Sequence, residues 1–315
     1  MAKKLATNGK SNGQVKTAAP RISADESADG SRLPVLKTYK IFIGGKFPRT
    51  ESGRYELLKN AHGHAIANIC KCSRKDFREA VVAARAAQSS WAGRRAYNRG
   101  QILYRIAEML EGRRAQFVEE LVTCGLAASA ASNEVDNSVD RFLYYAGWAD
   151  KYQQIFSSVN PVQSSHFNFS LLEPTGVVSM IAPQDTGLIG LVSLIAPAIT
   201  GGNTVIALAA RAKPLAAITL AEVLATSDLP GGVVNILTGD PTELIDPFSN
   251  HMDVNAIVYA GGEREDRAKT RTNAALNVKR AISYDRDEWM SDDAQSPYFI
   301  LDVMETKTTW HPVGV

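Results

Sequence analysis

Hydrophobic positions along this 315-residue chain fall into two regimes. Between about 73 and 148 they recur every three or four residues: Phe77, Val81, Ala84 and Trp91, then Ile102, Leu103, Ile106, Met109 and Leu110, then Phe117 to Cys124, then Val135, Val139, Phe142 and Leu143. Each set lines one face of a helix, so four amphipathic helices are predicted, the first opened by a capping box of Ser73 and Asp76 and the third closed by Gly125. From 166 the rhythm changes to short continuous apolar runs alternating with helical stretches. HFNFSLLEP and GVVSMIAP read as strands, GLIGLVSLIAPAI as a helix, NTVIALAA as a strand and PLAAITLAEVLAT as a helix. VVNILTG, a helix from about Pro241, NAIVYAGG, a helix from Glu263 and KRAISYD continue the alternation. Strands separated by helices require right-handed crossovers and a parallel sheet, which predicts a doubly wound α/β domain.

The flanks depart from this rhythm. Residues 1–37 are rich in Ser, Ala, Gly, Asn, Asp and Lys, with too few apolar side chains to offset ordering entropy, and read as a disordered tail. YKIFIGGKF at 39–47 alternates like a strand and turns at Gly44 and Gly45, which predicts a hairpin. After Trp289 the alternation stops at SDDAQSP, and YFILDVMETKTTWHPVGV reads as one last strand.

With 45% hydrophobic residues the chain can bury a sizeable core, and a net charge of +2 from mixed charges supplies no basic stripe for nucleic acid or an anionic membrane. No apolar run approaches the roughly 20 residues of a membrane span. Three cysteines, Cys70, Cys72 and Cys124, with no apolar signal segment, lead us to expect reduced thiols in a cytoplasmic protein.

Five stretches in fixed order resemble the aldehyde dehydrogenase superfamily: IGGKF, EPTGVVSMIAP, LIAPAITGGNTVIALAA, DLPGGVVNILTG and DVNAIVYAGG. The ending METKTTWHPVG and the decayed middle are most similar to the catalytically silent second domain of the two-domain family 16 enzymes. The resemblance implies a Rossmann-like NAD(P)-binding-type domain over 38–160 and 174–290, and oligomerisation strands at 161–173 and 298–315. It also implies that the domain carrying the cysteine nucleophile is missing between parts that remain.

Chemistry of that family needs a thiolate to attack the aldehyde. All three cysteines here precede residue 125, in the helical front, so none matches the family nucleophile. Where the family has its general-base glutamate, AISYDRDEWM places Tyr284, a phenol with an unperturbed pKa of about 10 and a poor base at neutral pH. Where the family has an asparagine that donates to the oxyanion, IAPQDTGLIG has Asp185, two residues after Pro183. An ionised carboxylate has no donor, so Asp185 is expected to cap the following helix through Gly187 rather than to react.

Cofactor recognition is altered too. The family's ribose-binding lysine and the glutamate three residues later become Leu208 and Arg211. The aromatic-Thr-Gly-Ser turn that receives pyrophosphate becomes Tyr259, Ala260, Gly261 and Gly262, followed by Glu263, Glu265 and Asp266, whose charges compete with a phosphate. Pro183, Gly239, Gly261 and Gly262 are the positions at which the resemblance still implies nucleotide contact. No tightly held cofactor is expected, and any NAD(P) binding is expected to be weak.

Pairs such as His62 with His64 and Cys70 with Cys72 give no tetrahedral ligand set, so no metal is expected. His166, His251 and His311 are scattered singly without a nucleophile motif, and Trp148 reads as a core aromatic. The expected role is a non-catalytic aldehyde dehydrogenase-like subunit, a homo-oligomer or a partner of a full-length aldehyde dehydrogenase, with no nucleic acid or membrane partner. Two alternatives stay open: an NAD(P)-dependent aldehyde dehydrogenase with an unusual site, and a nucleotide or metabolite sensor.

Overall fold

The computed structural model describes residues 35–60, 62–285 and 288–314. The tail expected over 1–37 falls almost wholly outside the described residues.

In chain order the elements are β1 (Thr38–Tyr39), β2 (Tyr55–Lys59), β3 (Ala65–Cys70), α1 (Arg74–Ala92), α2 (Ala96–Gly112), α3 (Arg114–Thr123), α4 (Ala128–Trp148) and α5 (Tyr152–Phe156). Then come β4 (Ser158–Asn160), β5 (His166–Pro174), β6 (Val177–Ile181), α6 (Ile189–Thr200), β7 (Thr204–Leu208), α7 (Leu215–Ala225), β8 (Val234–Leu237) and α8 (Pro241–Asn250). The chain continues through β9 (Ala256–Tyr259), α9 (Arg264–Ala275), β10 (Arg280–Ser283), α10 (Tyr298–Asp302) and β11 (Met304–Pro312).

Five strands form one parallel sheet in the order β10-β9-β6-β7-β8. Every residue of β6, β7, β8 and β9 is buried, which is why these strands read as continuous apolar runs. Alternate side chains reach opposite faces. Val177, Ile181, Ile206, Leu208 and Ile257 pack with Phe77 and Val81 of α1 and Leu244 and Phe248 of α8. Val178, Met180, Val205, Ile236 and Val258 pack with the larger group of helices α2, α3, α4, α6 and α7. The capping box of α1 is present, and Asp76 also accepts from Thr50 Oγ1 (2.6 Å) and Glu51 N (2.8 Å), which ties the incoming chain to that helix.

The hairpin expected at Gly44 and Gly45 contracts to a tight turn. Both glycines have positive φ, and Ile43 and Lys46 exchange two backbone hydrogen bonds of 3.0 Å. Phe42, just before this turn, pairs with Ile236 at the edge of the main sheet, with 2.9 Å bonds in both directions, so the chain there lies antiparallel beside β8. The extended hairpin of this region is β2 with β3, which periodicity did not predict.

Strand β11 runs antiparallel to β5 through nine pairs, from Met304 opposite Pro174 to Pro312 opposite His166, and β4 flanks β5 on its other side. Only the second part of the strand expected at 298–315 is extended, because Tyr298–Asp302 closes into a helical turn after Pro297. The connection from β10 to β11 packs against the body of the domain. Buried Arg141 of α4 donates to Ser193 Oγ at 2.6 Å and to the carbonyls of Trp289 (3.2 Å), Ser291 (3.4 Å) and Ala294. Tyr145 Oη donates to Ser296 O at 3.1 Å, and Trp289 and Ala294 are themselves buried. Among the described residues, no helix is long and apolar enough to cross a membrane.

Candidate functional site at the carboxyl edge of the sheet

Adjacent strands β6 and β9 are followed by helices on opposite faces, α6 with the larger helical group and α9 with α1 and α8. A crevice opens at the carboxyl ends of strands where connections diverge in this way, and it is the place such folds use for ligands. Pro183 follows β6, Gly261 and Gly262 follow β9, Arg211 follows β7 and Gly239 follows β8, so the topology gathers the sequence-selected positions along one edge.

Asp185 lies exposed on the loop after β6 and does not cap α6, contrary to expectation. Its backbone oxygen accepts from Lys213 Nζ. The cap is Glu134 of α4, whose Oε1 accepts from the amides of Gly187 (2.8 Å), Leu188 (2.6 Å) and Ile189 (3.1 Å). Glu134 is buried, and so is every residue of α6, so water cannot reach these amides in its place. A carboxylate from another helix is the stronger partner here because it faces three N–H groups and the positive end of α6 at once.

After β9, the Tyr259 ring turns over Gly261. A β-carbon at Gly261 would stand 2.8 Å from the Tyr259 hydroxyl and about as close to its ring, so only glycine fits beneath it. Tyr259 is itself buried, at 2% exposure. Burial, with the nearby Asp266 charge, pushes this phenol up to about 12. Gly262 has φ of 90° and open space beside it.

At the end of β7, Leu208 is buried in the core. Arg211 bridges two elements, reaching Glu56 of β2 at 2.5 Å and Asp240, the N-cap of α8, at 2.7 Å. Its backbone amide donates to Gln184 Oε1 at 3.0 Å. Neighbouring Glu243 pairs with Lys71 (2.5 Å) and Arg54 (3.2 Å), which extends the lattice over the β2–β3 hairpin. Burial works against the Asp240 carboxylate, yet hydrogen bonds from Thr242 and the Arg211 charge hold it below the usual range. Beneath the hairpin lies a cleft of about 310 Å³ lined by Leu57, Leu58, Ile69, Pro214, Arg211 and Gly239. Gly239, with φ of 149°, admits the Cys72 backbone, which a β-carbon would meet at 3.2 Å.

Tyr284 packs against Phe299 (5.0 Å between ring centroids) and Trp289 (6.4 Å), and its hydroxyl donates to Asp302 Oδ2 at 2.7 Å. It belongs to the connection toward β11. Cys70 and Cys72 are buried beside β2 and α1, and burial raises the Cys72 thiol; burial likewise pushes Cys124 up to about 11. His62 and His64 share a turn with ring centroids 6.5 Å apart, and among the described residues no group of three or more His, Cys, Asp or Glu could hold a metal. Trp148 is half-buried at the end of α4, against Tyr144.

Periodicity passed over Glu134 and Arg141, although both interrupt the apolar stripe of α4 formed by Ala131, Val135, Phe142 and Tyr145. A charge on a buried stripe needs a partner from another element, and that was the available signal.

Comparison with known proteins agrees with this architecture. A profile of the aldehyde dehydrogenase family matches residues 47–283. Cytosolic 10-formyltetrahydrofolate dehydrogenase of Mus musculus is 30% identical over 255 residues, covering 79% of this chain and 28% of that protein. The same enzyme of Xenopus laevis is 30% identical over 256 residues, with the same coverage. The NAD+ complex of an aldehyde dehydrogenase from Bacillus cereus superposes with a TM-score of 0.75 at 25% identity, over 78% of this chain and 50% of that one. The chain thus spans half or less of the length of these relatives. With a family profile matched from Phe47 through the last strand of the parallel sheet, and the same fold in solved relatives, this chain belongs to the aldehyde dehydrogenase family.

Proposed function

We propose that this chain is a non-catalytic aldehyde dehydrogenase-like subunit that assembles with itself or with a complete aldehyde dehydrogenase. The observation that carries the reading is the segment from Trp289 to Val303, which is clamped by Arg141 and Tyr145 and leads into β11. A short, packed connection in place of an inserted lobe supports the non-catalytic reading, and the β5–β11 strand pair supports assembly.

The thiols support the same reading. Each lies in the front half of the chain, and burial holds Cys72 and Cys124 as thiols at neutral pH. Assembly is supported by β11, exposed along nearly its whole length, with Trp310 57%, Phe167 46% and Leu171 46% exposed on the same small sheet. An exposed strand edge carrying aromatic side chains favours pairing with another chain.

The test is affinity purification from the native host at low salt, with mass spectrometry and an aldehyde-dependent NADH assay on the same fraction. Expected are a stoichiometric second copy or a full-length aldehyde dehydrogenase and no turnover by the chain alone. A strictly monomeric chain with no such partner refutes assembly, and a lone chain that reduces NAD refutes the non-catalytic reading.

A further inference from the structure

The fold implies a dinucleotide at the β6/β9 crevice, and three anchoring points there are already engaged by this chain's own side chains. The first is the N-terminus of α6, which follows the first strand of the parallel sheet. In such folds the free amides at that end receive phosphate oxygens. Here the amides of Gly187, Leu188 and Ile189 converge on Glu134 Oε1 at 2.6–3.1 Å, inside the protein. An incoming phosphate would have to displace a buried carboxylate and would meet its negative charge.

The second point is the turn after β9. A glycine there lets a ligand approach the backbone closely, but the space over Gly261 is held by the Tyr259 ring and its hydroxyl, 2.8–3.0 Å from where a β-carbon would stand. Glu265 and Asp266 in the first turn add negative charge at the same helix end.

The third point is the end of β7. The guanidinium of Arg211 is divided between Glu56 and Asp240, and the hairpin that carries Glu56 lies across the edge. The cleft left beneath it, about 310 Å³, is at the lower limit of small-molecule pockets. The Thr186 hydroxyl at this edge is buried without a hydrogen-bond partner and is turned inward against Gly190.

We infer that the dinucleotide crevice of this chain is occupied by the chain itself, with Glu134 and Tyr259 covering the two helix ends and Arg211 latching the β2–β3 hairpin across the sheet edge. The inference goes beyond the silent-subunit reading, because a chain without a nucleophile could still hold NAD(P) for structural reasons. Self-occupation makes the domain complete without a nucleotide, so its folding does not depend on one.

Two measurements on the full chain test it. In thermal melts with NAD, NADP or inorganic pyrophosphate at about 5 mM, no stabilisation is expected, whereas a site with a Kd tenfold below that would raise stability measurably. In hydrogen exchange, Arg211→Ala is expected to speed the amides of Tyr55–Lys59 and Ala65–Cys70 by about threefold, the scale of half-exposed ion pairs, while Arg211→Lys retains most of the protection. A saturable shift with either nucleotide overturns the occupied crevice, and unchanged hairpin exchange in Arg211→Ala overturns the latch. Nucleotide binding without aldehyde turnover would sink this inference alone. Turnover by the lone chain would sink the non-catalytic reading.

Discussion

Two carboxylates compete for the N-terminus of α6, Asp185 on the loop after β6 and Glu134 on α4, and replacing each separately tests which of them holds it. Glu134→Ala removes the single acceptor of three amides, at 2.8, 2.6 and 3.1 Å, on a helix with no solvent-exposed residue. Loss of an N-cap costs roughly 0.5–2 kcal/mol where water can take over, and each buried amide left without a partner adds roughly 1–3 kcal/mol. Because the loop can relax to recover part of this, the expected loss is about 3 kcal/mol, or about 6–12 °C in Tm for a domain of this size. Glu134→Gln keeps an acceptor oxygen but loses the charge facing the helix dipole, and is expected to cost about half as much. Asp185→Ala, at an exposed loop position, is expected to change stability by less than about 0.5 kcal/mol. Urea unfolding followed by circular dichroism on the three variants is the assay. If Asp185→Ala costs as much as Glu134→Ala, or if Glu134→Ala costs under about 1 kcal/mol, the capping argument is wrong.

Three further outcomes are expected. Arg141→Met strips the donors from the carbonyls of Trp289, Ser291 and Ala294 and should cost about 2–4 kcal/mol, with new limited-proteolysis cuts between 285 and 297; a cleavage pattern like the parent's contradicts the clamp. Iodoacetamide should label Cys124 slowly at pH 7, its thiol being pushed up to about 11, and faster on denaturation; rapid labelling of the folded chain at neutral pH contradicts this. Burial pushes Lys279 down to about 8 in the folded chain, below its unfolded value, so the unfolded state binds the extra proton and the destabilisation is full below pH 8 and fades as pH rises. Lys279→Met should therefore be more stable than the parent at pH 7, with the difference shrinking toward pH 9.5; a pH-independent difference counts against it.

How much of this was legible in the sequence follows from which interactions are local. Apolar runs of four or five residues between helical stripes already specified a parallel sheet with both faces covered, since only strands buried on both sides lack a polar alternation. The capping box at Ser73 and Asp76 was legible because its partners lie within one turn. The hairpin expected at Gly44 and Gly45 closes through the Ile43–Lys46 pair but goes no further, because Phe42 takes a longer-range partner, Ile236, at the sheet edge. Tyr298–Asp302 was read as strand because its apolar run has no periodicity of its own; the preceding Pro297 and the need to turn into β11 set a helical turn there.

The candidate site divides in the same way. The sequence by itself determined that no cysteine follows residue 124, that Leu208 and Arg211 stand at the end of an apolar run, and that a carboxylate follows Pro183 by two residues. Only the tertiary structure decided what these residues do. Asp185 is adjacent to the helix end in sequence, yet the buried amides of α6 take Glu134, 53 residues earlier, because α4 delivers that carboxylate into the interior where water is excluded. Arg211 becomes a bridge because the hairpin and the N-cap of α8 bring two carboxylates to it from 155 and 29 residues away. Composition and period report what a segment buries; which charge meets which amide depends on distances that exist only after the helices have packed.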